Sequence, residues 1–105
     1  MKLKEIADKA KEIEDEIGLS VDDILNKLTQ ELGEFNDAVQ KFRGRYCRKK
    51  GDLESVKEEV GDLFFNLISV CSRLGISVDE LPSYAQRTLY KFQKRREDYK
   101  KSKEE

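Results

Sequence analysis

Apolar residues recur every three or four positions through four consecutive segments of this chain, and a glycine closes each of the first three. That spacing admits amphipathic helices packed through their apolar stripes and little else. The first helix is predicted over about Lys2 to Ile17, with Leu3, Ile6, Ala7, Ala10, Ile13 and Ile17 inward and Gly18 as its stop. The second starts at Ser20, where Ser20 and Asp23 stand at capping-box spacing. Its stripe is Val21, Ile24, Leu25, Leu28, Leu32, Phe35, Val39 and Phe42. The third starts near Asp52 and carries Leu53, Val56, Val60, Leu63, Phe64, Leu67, Cys71 and Leu74 up to Gly75. The fourth starts at Ser77, has Pro82 one turn in, and runs to about Lys100, leaving residues 101–105 to fray. A single proline among many Lys, Glu and Leu agrees. The expected fold class is all-α: a four-helix bundle filling residues 1–105 as one domain, with helices two and three as an antiparallel hairpin.

One stretch appears twice. Gly18-Leu19-Ser20-Val21-Asp22-Asp23-Ile24 resembles Gly75-Ile76-Ser77-Val78-Asp79-Glu80-Leu81. The likeness ends there, which suits a helix stop-and-cap signal met twice better than a duplicated helix pair.

Composition narrows function. With 21 basic and 22 acidic side chains the net charge is −1, so nothing draws the chain as a whole to nucleic acid or to an anionic membrane. No apolar run approaches membrane-spanning length, and the N-terminus lacks the apolar stretch of a signal peptide. Cys47 and Cys71 have no metal-binding spacing, and a reduced, cytoplasmic protein is expected. Histidine is absent, which excludes Ser-His-Asp and Cys-His nucleophile pairs and histidine metal sites. Any metal must then be held by carboxylates, which favour magnesium or manganese. Because only 37% of residues are hydrophobic, the core of a lone bundle is thin, and homo-oligomerisation is expected.

The acids supply candidates. Helix two carries Glu31 and Glu34, and helix three carries Glu59 and Asp62, each pair three residues apart on one helix face. At about 100° per residue, both pairs fall on the same rotational edge of their stripes. An antiparallel hairpin turning between residues 46 and 47 sets Glu31 level with Asp62 and Glu34 level with Glu59. Four carboxylates then converge beside an apolar seam, where a divalent cation would relieve their repulsion. The competing reading has these acids splayed into solvent or paired with Lys27 and Lys41.

Helix four offers the opposite charge. Arg87, Lys91 and Lys94 share an edge of its stripe. If helices three and four also form an antiparallel hairpin, Lys91 stands level with Asp62 and Lys94 with Glu59. Metal plus cations is equipment for a polyphosphate. An ordinary basic helix C-terminus is the plainer account, in part for Arg95 and Arg96.

Glu31-Leu32-Gly33-Glu34, followed by Glu58-Glu59-Val60-Gly61-Asp62-Leu63-Phe64-Phe65, resembles the E-x-x-E and E-x-x-D motifs of MazG-type pyrophosphohydrolases. Arg73 to Glu80 and Lys91-Phe92-Gln93-Lys94-Arg95 are similar to further family segments, so the likeness covers roughly residues 20–96. The resemblance implies an all-α fold, magnesium at Glu31, Glu34, Glu59 and Asp62, a nucleotide substrate, pyrophosphate release, and a homodimer or homotetramer. It implies hydrolysis of a (deoxy)nucleoside triphosphate to the monophosphate in nucleotide-pool house-cleaning. Glu34 would orient or deprotonate water, and Lys91, Lys94 or Arg95 would neutralise the leaving group. Leu89 stands where many members have an asparagine, and the basic loop from Arg43 to Lys50 offers a substitute contact.

Two alternatives stand beside this reading. One is a phosphoribosyl-nucleotide pyrophosphohydrolase of the same general helical design. The other is a non-catalytic interaction module, with Phe65 and Tyr90, opposite their helices' main stripes, as a partner surface or a homo-oligomer contact.

Overall fold

The computed structural model describes residues 1–45 and 51–104. Residues 46–50 of the basic loop, including Cys47, lie outside the described residues. The described chain is helical throughout: α1 (Leu3–Ile17), α2 (Val21–Phe42), α3 (Leu53–Arg73), a 3-10 turn (Val78–Glu80) and α4 (Leu81–Glu104).

Local chemistry sets these boundaries. Gly18 ends α1 at φ 76°, a left-handed conformation that glycine adopts without penalty. Ser20 caps α2 by accepting from the Asp23 N–H at 3.1 Å, while the Asp23 carboxylate accepts from the Ser20 N–H at 2.9 Å. Asp52 caps α3 through the Ser55 N–H at 2.8 Å. The repeated glycine-serine signal has two outcomes. After Gly18 it opens an α-helix, whereas after Gly75 it opens the 3-10 turn, with α4 proper beginning one residue before Pro82. Pro82 therefore sits in the first turn of α4, where a missing N–H costs nothing. Helix α4 continues past Lys100, its expected end, to Glu104.

Helices α2 and α3 pack along their length as the expected hairpin, and α1 covers the other side of α3. The Gly51 N–H donates to the Lys41 carbonyl at 3.0 Å where the hairpin closes. A Cβ at Gly51 would meet the Lys41 Cβ at 3.2 Å, so the close approach there favours glycine. Arg73 locks the far end, pairing with Asp15 and donating to the Leu19 carbonyl at 2.7 Å.

Two expectations are corrected. The inner faces are rotated from the strongest apolar stripes. On α2 the inward positions include Ile24, Leu28, Glu31 and Phe35, while Leu25 and Leu32 are exposed. On α3 they include Leu63, Asn66, Ser69 and Val70, while Val60, Phe64 and Leu67 are exposed. A small core gathers Ala7, Ile68 and Val78, with Ile6 and Leu81 against it. The second correction concerns α4. The chain bends by 110° between α3 and α4, short of a full reversal, and among the described elements α4 packs only against the 3-10 turn. No residue of α4 is buried. Lys91 and Lys94 therefore do not stand level with Asp62 and Glu59 within one chain, as the hairpin argument expected.

Candidate active site

The α2–α3 seam brings the acids together. Glu31, Glu34 and Glu59 each offer one carboxylate oxygen, and the three oxygens lie within 4.8 Å of one another. Glu31 occupies a core position at 4% exposure, Glu59 is half-buried and Glu34 is exposed. Asp62, the fourth predicted acid, stands outside this close set and lines a cavity with Glu31.

Electrostatics show the tension in the cluster. Hydrogen bonding to Glu31 and repulsion from it push the Glu34 carboxyl above its usual range. Burial, then the charges of Glu34, Asp62 and Glu31, push Glu59 up as well. Lys27 pairs with Glu31 at 3.2 Å, which raises its own pKa and leaves the cluster still strongly acidic. Lys41, the other cation considered as a partner for these acids, pairs with Asp37 at 3.0 Å. Oε2 of Glu31 and Oε2 of Glu59 are buried without a hydrogen-bond partner. A buried acceptor left this way costs on the order of 1–3 kcal/mol. Two unpartnered oxygens beside a third carboxylate, with no nitrogen or sulfur donor in the set, fit a hard divalent cation.

A cavity of about 580 Å3 opens beside these acids between α1, α2 and α3. Its lining includes Glu31, Asp62 and Lys27 at one end and Ala10, Glu14 and Ile17 on α1. Phe65, expected to be exposed opposite its helix's main stripe, is exposed and also lines this cavity. Glu14 was not anticipated: it is an acid at a core position of α1, 7% exposed, with Ser69 donating to its Oε2 at 2.5 Å. A glutamate beside Ile13 reads as a polar-face residue, so the spacing carried no signal for it. Tyr90 is exposed on α4, accepting from the Gln86 amide at 2.7 Å.

A carboxylate cluster suited to a cation, set at the edge of a cavity of ligand size, is a site for a metal-bound anionic substrate. Residues 19–99 match the family model of the MazG nucleotide pyrophosphohydrolase domain. The chain belongs to this family. It is also similar to YpjD of Bacillus subtilis (strain 168), an uncharacterized protein, at 35% identity over 83 residues, covering 78% of this chain and 72% of that protein. No solved structure matches significantly. The family match spans the acid motifs of α2 and α3 and most of α4, including Lys91, Lys94 and Arg95.

Proposed function

We propose that the chain is a magnesium-dependent pyrophosphohydrolase that converts a (deoxy)nucleoside triphosphate to its monophosphate and pyrophosphate, in the cytoplasm. The observation that carries this reading is the meeting of Glu31, Glu34 and Glu59 within 4.8 Å, with buried unpartnered oxygens, where Glu31 reaches the wall of a cavity that Asp62 also lines. Glu31, Glu34, Glu59 and Asp62 would hold magnesium or manganese, which when bound would polarise phosphate oxygens and offset their charge. Glu34 is the exposed member of the close set, where an attacking water could reach it and hand over a proton. Water attacks the α-phosphorus and gives that proton to Glu34. The bond from the α-phosphorus to the bridging oxygen breaks, and pyrophosphate leaves with the electron pair.

Among the described residues of one chain, the α4 cations Lys91, Lys94 and Arg95 are not placed at the acids. The same chain exposes 8521 Å2, against about 6,100 Å2 expected for a compact 12.3 kDa monomer. That surplus exceeds what a standard protein interface buries. The reading is therefore of a homodimer, or a homotetramer built from it, in which Lys91, Lys94 and Arg95 on α4 of one copy serve the carboxylates of another. Pyrophosphate release from a panel of triphosphates, with magnesium and with excess chelator, tests the function. Monophosphate and pyrophosphate in equal amounts, only with the cation, are expected. Orthophosphate as the product, or full turnover in chelator, would overturn it.

A further inference from the structure

Helix α2 has one face that a lone chain leaves uncovered. Leu25, Thr29, Leu32, Asn36 and Val39 follow one another at intervals of four, three, four and three residues, the spacing of a seam between two helices. Leu32, at its middle, is 56% exposed. A groove of about 590 Å3 runs along this face, lined by Thr29, Leu32, Gly33, Phe35, Asn36 and Val39. At about 100° per residue, the charged side chains between Ile24 and Phe42 (Lys27, Glu31, Glu34, Asp37 and Lys41) all fall on the rest of the helix. In a chain that is 41% charged, a charge-free face of that length marks a contact and not a solvated surface.

Charge returns only at the two ends. Asp22 and Arg43 lie on the same face, and both are exposed. A parallel second copy of α2 would set each against its own like. An antiparallel copy sets Asp22 against the partner's Arg43. That register puts a two-fold axis between residues 32 and 33, and two further pairs fall into line with it. Leu32 comes level with the partner's Gly33, where a Cβ would meet nothing within 4 Å, so its side chain has room. Thr29 comes level with the partner's Asn36. The Thr29 hydroxyl donates to the Leu25 carbonyl at 3.1 Å and keeps an acceptor lone pair. The Asn36 amide oxygen accepts from the Gln40 amide at 3.4 Å, which leaves the Asn36 NH2 to donate. Area agrees, since the chain exposes 8521 Å2 against about 6,100 Å2 for a compact monomer of its mass, more surplus than a standard interface takes from each partner.

We infer that α2 of one copy packs antiparallel on α2 of a second copy of this chain. Leu32 sits over the partner's Gly33 at the axis, Thr29 bonds to the partner's Asn36, and Asp22 pairs with the partner's Arg43 at the ends. The face lies about half a turn round α2 from Glu31 and Glu34, so the contact does not touch the acids. It uses no nucleotide chemistry and stands or falls apart from the activity proposed above.

Sedimentation equilibrium of the full chain and its variants tests this, with circular dichroism to show that each is folded. The wild type should be a dimer or larger. Asp22→Arg and Arg43→Asp should each weaken association by roughly tenfold, because each turns two opposite-charge pairs per dimer into like-charge ones. The double variant should recover the wild-type constant. Damage to the helix ends themselves would add in the double variant, so recovery separates pairing from folding. Leu32→Asp should weaken association by roughly a hundredfold or more, as a charge buried at the centre of an interface does. In a parallel pair neither single charge reversal would weaken association, so unaltered single variants overturn the inference. A double variant weaker than either single overturns it too, as does a wild type that stays monomeric at high concentration. If Phe64→Asp gives a monomer while Leu32→Asp leaves the mass unchanged, the exposed edge of α3 is the interface and the α2 face is not.

Discussion

At Glu59, burial and the charges of Glu34, Asp62 and Glu31 act in one direction on a single carboxyl. Its folded pKa lies above the unfolded value near 4.5, and so does that of Glu34. The folded state therefore binds these protons more tightly than the unfolded state does. Their contribution to stability falls as pH rises from about 4.5 through the raised folded values, and the penalty is complete above them. The caps Asp23 and Asp52 have lowered pKa values, so their stabilisation is lost only as pH falls further, below about 3.8. Thermal melts in chelator should show the melting temperature rising as pH drops from neutral towards the carboxylate range, then falling. With magnesium the neutral end should gain most, because protons compete for the same oxygens. A metal-free melting temperature that climbs with pH across that window would count against the cluster. Glu59→Gln should raise the metal-free melting temperature, blunt the response to magnesium, and lower turnover by roughly a hundredfold or more. The meeting of Glu31, Glu34 and Glu59 was legible from spacing, whereas Asp62, expected with them, stands outside the close set. The burial of Glu31 was not, because a periodicity analysis weights Leu25 and Leu32 inward, while packing turned Glu31 to the core face.

Helices α2 and α3 begin where Ser20 and Asp52 cap them, and α1 ends at Gly18, since a cap is a hydrogen bond among neighbours and needs nothing from the rest of the chain. Helix α4 differs in its surroundings. Its apolar residues, Leu89, Phe92 and Tyr99 among them, face solvent in a lone chain. Lys91→Met keeps the stem and removes only the charge of an exposed side chain, so stability should barely change. Turnover should fall by roughly one to three orders of magnitude, the scale of losing a charged contact to a transition state. Lys100→Met, farther along α4, should be silent. Because the acids and Lys91 are assigned to different copies, mixing Lys91→Met with Glu59→Gln subunits should restore activity that neither has alone. No recovery on mixing, with both variants folded and assembled, would mean that each site is built within one chain.

The chain as a whole is open. Its radius of gyration is 18.1 Å, against about 13 Å for a compact domain of this length. Val60, Phe64 and Leu67 line up as a second apolar edge of α3, and Leu25 and Leu32 do the same on α2. If a second copy covers these faces, the melting temperature should rise with protein concentration. Phe64→Asp should shift the mass measured by light scattering towards the monomer and lower activity with it. A wild-type monomer at high concentration would remove the dimer from this picture. Gly33 and Gly61 sit mid-helix inside the acid motifs with open space where a Cβ would go. In an isolated chain, Gly33→Ala should stabilise by about 0.5–1 kcal/mol through helix propensity alone. Destabilisation of the assembled protein instead would show that another backbone approaches there.

Sequence by itself determined the helices, their caps, the α2–α3 hairpin and the two acid motifs. Each depends on residues near one another in the chain, or on one short turn that closes only one way. Only the tertiary structure decided which face of each helix turned inward, because packing α1 and α2 against α3 is a joint solution that no single stripe contains. It placed Glu14 against Ser69, 55 positions away, and turned Phe65 into the cavity wall. It also decided the direction of α4. Pro82 and the 3-10 turn start that helix, and among the described elements α4 packs against that turn and not along α3.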